Sequence, residues 1–87
     1  MKILQIKNIV RKDVPLYYRR HFSGVVILEL LNQKIDRRID FMIETKATGF
    51  KEISLSLAEP VDYPLTPLIR ELKTLVMQMD DKGDLPG

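Results

Sequence analysis

Residues 17–22 read Tyr-Tyr-Arg-Arg-His-Phe, three aromatic rings, two guanidinium groups and an imidazole in six consecutive positions. On single-stranded nucleic acid, aromatic faces stack on bases while Arg and Lys follow the phosphates. Tyr17, Tyr18 and Phe22 supply the first kind of group and Arg19 and Arg20 the second. Arg11 and Lys12 add charge from across the turn at Pro15. In an extended chain Tyr17, Arg19 and His21 share one face, and Tyr18, Arg20 and Phe22 the other, so either face offers an aromatic and a cation. The expected polyanion site is therefore Arg11, Lys12, Tyr17, Tyr18, Arg19, Arg20 and Phe22. The same residues also admit a structural reading, in which the aromatics cover a sheet edge and the arginines are solvated.

Charge placement supports an anionic partner. Residues 1–20 hold six Lys/Arg against Asp13 alone, a net +5, while residues 21–87 hold eight against eleven Asp/Glu, a net −3. Such asymmetry fits a single-stranded nucleic acid, an acidic protein partner, or a basic and an acidic surface meeting across an interface.

Catalytic machinery is not apparent, and the expectation is a binding protein, not an enzyme. His21 is the only histidine, cysteine is absent, and no glycine-rich phosphate loop or nucleophile motif occurs. His21 would need an oriented partner to act as a base, and the sequence identifies none. Asp36, Asp40 and Glu44 share a strand face, but neighbours four apart on a strand sit ~13 Å from one another, too far to share one ion. No metal and no cofactor are expected. The absence of cysteine excludes a disulfide scaffold, Lys7 interrupts any signal-peptide core, and no apolar run approaches a membrane span, which together suggest a cytoplasmic protein with no membrane role.

These groups must be positioned by the elements around them. Eighty-seven residues make a single domain over 1–87. Segments 2–11 and 22–31 are rich in β-branched and aliphatic residues and predict two strands. Ile35, Ile39, Phe41 and Ile43 then alternate with Asp36, Arg38, Asp40 and Glu44, and Ile53, Leu55 and Leu57 with Glu52, Ser54 and Ser56. Lys46–Gly49 supplies the turn between these two strands, and centring the hairpin there sets Phe41 opposite Leu55 and Ile39 opposite Leu57. A three-residue loop at Asn32–Lys34 sets Glu29 opposite Arg37, Ile27 beside Ile39 and Val25 beside Phe41. After Pro60 the period becomes helical, with Leu65, Leu68, Ile69, Leu72, Leu75, Val76 and Met79 in one stripe. Thr66 is the expected N-cap and Gly83 the stop. Arg70 near the helix start and Asp80 and Asp81 near its end carry the wrong sign for the helix dipole. The fold class is α+β, a four-stranded antiparallel meander followed by one C-terminal helix packed on one face.

Strands three and four are apolar on one face only, whereas the first two are apolar on both. One helix covers one face, so a second copy is expected over the back of the first two strands, making the protein a homodimer with Val26, Leu28 and Leu30 at its interface. The alternative cover is residues 11–21 or the tail. The β-β-β-β-α order resembles the dimeric single-strand-binding folds of the Whirly and Pur-alpha kind. That resemblance spans the chain, lies in element order, and implies a dimer that binds single strands; it assigns a role to no residue. The competing function is a protein-interaction module with no nucleic-acid role.

Overall fold

The computed structural model describes residues 1–86. Four antiparallel strands, β1 (Lys2–Lys12), β2 (Arg19–Leu30), β3 (Gln33–Thr45) and β4 (Lys51–Leu57), lie in one sheet in that order and are followed by one helix, α1 (Leu65–Lys82). The α+β meander read from the sequence is the fold of the protein.

The helix buries Leu68, Leu72 and Val76, the centre of the predicted stripe, against Phe22, Val26, Leu28, Ile39, Phe41 and Ile43. At ~1.5 Å per residue α1 spans ~27 Å, shorter than the 42 Å long axis of the molecule. Val61 and Tyr63, from the connection before it, also pack against the core. The N-cap is Pro64, not Thr66, and no side chain caps the helix start. Gly83 closes the other end at φ 74°: its N–H donates to the Asp80 carbonyl and that of Asp84 to the Met79 carbonyl. This is the Schellman pattern, which needs a residue free to adopt the left-handed region.

The β3–β4 register is the expected one, with Phe41 opposite Leu55 and Ile39 opposite Leu57. The β2–β3 register is not. Leu31 and Asn32 form the turn, at φ 50° and 62°, and Gln33 already pairs with Leu30. Two consecutive positive φ values match the hand of a sheet hairpin better than the loop expected at 32–34. Glu29 therefore faces Lys34, and Phe22 faces Phe41. The shift is an odd number of residues, and an odd shift moves every side chain of a strand to the other face.

That flip corrects the proposed dimer layer. Val26 and Leu28 are fully buried in the chain's own core, and Leu30 lies half-buried on the same side. Val25 and Ile27 take the back face instead, opposite Lys7 and Arg38 and opposite Gln5 and Asp36 respectively. Ile27 is only 8% exposed without help from the helix, as expected where long polar side chains lie over an apolar neighbour. The apolar back face that called for a second copy is thus a mixed, largely polar surface.

The edge strand β1 is irregular. Its register with β2 shifts between Ile3 and Gln5 and again between Lys7 and Val10, where Asn8 takes φ 54°. At the second shift β1 presses onto Gly24, where a Cβ would lie 3.3 Å from the Lys7 carbonyl oxygen and from Ile9 Cγ1. Glycine is what lets the strands approach there.

Candidate binding tip

The connection from Asp13 to Tyr18 and the turn after Thr45 lie side by side at one end of the sheet. The Arg19 N–H donates to the Leu16 carbonyl at 3.2 Å, closing the β1–β2 turn, and the Thr45 N–H donates to the Tyr18 carbonyl at 2.9 Å. The backbone of Tyr18 is thereby tied to β3 while its side chain stays free. Tyr17 is 97% exposed and Tyr18 39%. Their rings meet edge to face, with centroids 5.7 Å apart and planes at 90°, a preferred aromatic geometry. Leu16 beside them is 37% exposed. A groove of about 570 Å³ runs along the tyrosines, with Glu44, Thr45, Lys46 and Ala47 on its other side.

The cations around this tip are already engaged. Arg19 Nε donates to Glu44 at 2.8 Å, and its guanidinium carbon sits 5.6 Å from the Tyr18 ring centroid. Lys46 bridges Glu44 at 2.8 Å and Glu52 at 3.3 Å, relieving the repulsion of two carboxylates paired across the hairpin. Hydrogen bonds from Lys46 and then Arg19 hold the Glu44 carboxyl below its ordinary range, and those from Glu44 and Glu52 raise Lys46. Lys12 pairs with Asp40 at 2.9 Å on the back face.

Arg20 and Phe22 leave the site altogether. They share the helix-side face of β2, and Phe22 is 1% exposed, stacked on Phe41 with centroids 5.0 Å apart. Arg20 donates two hydrogen bonds to the Asp80 carboxylate, at 2.8 and 3.0 Å, and Lys51 donates a third at 2.8 Å. The Asp80 side chain is 7% exposed. Hydrogen bonding from Arg20, against the cost of burial and with help from Lys51, pushes its pKa down to about 2. This clamp joins β2, β4 and the end of α1. It also explains the wrong-sign charge at the helix C-terminus, which was the one sequence signal that could have revealed it: two cations on the sheet outweigh the unfavourable end of the helix dipole.

Of the seven residues expected to hold a polyanion, the structure brings Tyr17, Tyr18 and Arg19 together at the tip. Lys12 lies beside His21 in a shallow depression of about 300 Å³ on the back face. Arg11 is exposed and makes no ion pair among the described residues. A family model matches residues 1–81, a stretch that includes the tip, the sheet and nearly all of α1. The chain belongs to the BB-0187 family. No curated protein matches it. No solved structure matches it either, so the likeness to the Whirly and Pur-alpha folds goes no further than element order.

His21 is half-buried on the back face, opposite Lys12 and Met42. Among the described residues no cluster of three His, Cys, Asp or Glu side chains is placed to hold a metal ion. No helix among them is long and apolar enough to cross a membrane.

Proposed function

We propose that the protein is a non-enzymatic interaction module whose Leu16–Tyr18 tip engages a protein partner. The observation that carries this is the exposure of the tyrosine pair on a backbone tied down from both sides, amid charges already neutralised by their neighbours. Rigid exposed aromatics are the residues most enriched at binding hot spots, because they bury a large area at little entropic cost. The adjoining groove has an aromatic wall and both signs of charge on its rim, which suits an extended protein segment better than a run of phosphates.

A second reading, binding of single-stranded nucleic acid, rests on a specific observation: two stackable rings with Arg19 lying over one of them and Arg11 free to meet a phosphate. Against it, Lys12, Arg19 and Arg20 would each have to leave a carboxylate within 3 Å. Fluorescence anisotropy with labelled single- and double-stranded oligonucleotides at two salt concentrations separates the readings. The interaction module predicts no binding at moderate salt, or weak binding that Tyr17→Ala and Tyr18→Ala leave unchanged. Tight binding that each tyrosine change weakens by ~1–3 kcal/mol, with a salt slope lowered by roughly 0.7 for each phosphate contact removed at Arg11 or Arg19, would establish the nucleic-acid reading instead.

A further inference from the structure

The two edges of the sheet are built differently. β1 carries two register shifts and Lys2, Lys7, Arg11 and Lys12 along its length. Bulges and cations are the means by which an edge strand avoids pairing with another chain. β4 has neither protection. Its register with β3 is unbroken, and from Ile53 to Leu57 it carries no charge.

Its outer backbone groups are also free. The Ala58 N–H donates to the Arg38 carbonyl and the Lys46 N–H to the Phe50 carbonyl. The even-numbered residues of β4 therefore point their backbone groups at β3, and Lys51, Ile53, Leu55 and Leu57 point theirs outward. Among the described residues no backbone group from outside the sheet reaches them. Beside this edge runs an apolar seam against α1. Phe50, Ile53 and Met77 line one half, of about 440 Å³; Leu55, Leu57, Leu65 and Ile69 line the other, of about 360 Å³. Phe50 is 70% exposed and Leu65 58%.

We infer that a second copy of this chain covers the seam, pairing β4 with β4 antiparallel about a two-fold axis through Leu55. The strand is complementary to itself in this register. Leu55 meets Leu55, Ile53 meets Leu57, and Ser54 meets Ser56, so all apolar side chains stay on the helix side and all hydroxyls on the other. The pairs that face each other are the odd-numbered residues, whose backbone groups are the free ones. Charge agrees as well. Each copy has Glu59 at one end of the seam and Lys73 and Lys51 at the other; a two-fold axis brings opposite ends together and sets Glu59 across from Lys51. An interface of this kind is isologous and closes at two chains. It replaces the interface expected on Val26, Leu28 and Leu30, and it is independent of the tip.

Light scattering across a concentration series, with hydrogen exchange read at single amides, tests the pairing. The wild type is expected to reach twice its 10.1 kDa chain mass. The outward amides of Ile53, Leu55 and Leu57 should become protected as the dimer forms. Leu65→Glu, at an exposed position that the monomer core does not need, should shift the dimer toward monomer with the fold intact by circular dichroism. Leu55→Pro deletes an outward N–H without touching the β3 ladder and should do the same. A 10.1 kDa species at all concentrations would overturn the inference. So would a dimer in which those three amides exchange as fast as exposed ones.

Discussion

Replacing Asp80 by Asn removes the charge at the centre of the Arg20–Asp80–Lys51 clamp while keeping the side chain's shape. The size of the effect follows from the carboxyl itself. Its pKa falls from 3.8 to about 2 in the folded protein, and each unit is about 1.4 kcal/mol, so the ionised form contributes about 2 kcal/mol. Arg20 and Lys51 remain 28% and 34% exposed and can turn to water once the carboxylate is gone. The loss should therefore fall short of the ~3–5 kcal/mol typical of a fully buried broken pair. In a domain of this length ~2 kcal/mol corresponds to roughly 8–16 °C in Tm. The pH dependence is the sharper signature. A depressed carboxyl pKa gives stability that is complete above the unfolded value and disappears as pH falls through the folded one. The gap between wild type and Asp80→Asn should be full above pH ~4, shrink between ~4 and ~2, and close below ~2. Glu44 is shifted in the same direction but is present in both proteins, so it cancels in the difference. Paired urea or thermal melts across this range measure the gap. No gap at pH 7, or one that persists unchanged at pH 2, would refute the clamp.

The core is open to a similar comparison. Leu72→Ala, at a fully buried position under the sheet, should cost ~2–5 kcal/mol in a denaturant titration. Phe22→Ala should cost ~3–5 kcal/mol, whereas Tyr17→Ala should stay within ~0.5 kcal/mol of wild type; equal costs would put Phe22 back on the surface. At the β2–β3 turn, Leu31 holds a left-handed φ while 92% exposed. Leu31→Asn with Asn32→Gly, the residues that favour this turn, should raise stability by about 1 kcal/mol, and a loss would argue for the longer loop.

Much of the fold could be read where a strand has one apolar face. In β3 and β4 the alternation of Ile39, Phe41, Ile53 and Leu55 with charges and serines admits one register, and that register is found. In β2 the run Val25-Val26-Ile27-Leu28 satisfies either face, so the hydrophobic pattern could not choose. The choice fell to the turn, and Leu31-Asn32 lacks the glycine that marks a two-residue hairpin. The informative half of β2 was its beginning, where Arg19, His21 and Ser23 alternate with Phe22 and Gly24. The binding site was legible only in composition. Residue types placed aromatic rings and cations together, but strand parity sent Arg20 and Phe22 inward, and ion pairing with residues 25 to 60 positions away consumed the charge of Arg19, Lys12 and Arg20. Long-range pairing of that kind leaves no local trace except a misplaced charge such as Asp80.

Whether the tyrosine tip holds a protein partner can be asked of the molecule in the cell. A photoreactive benzoylphenylalanine at position 17 preserves an exposed aromatic ring there and reports what touches it. One protein adduct of fixed mass is expected, lost when Tyr18→Ala or Leu16→Ala is added and absent when the probe sits at Lys34, at the opposite end of β3. A nucleic-acid adduct, or the same products from positions 17 and 34, would contradict a protein-binding tip.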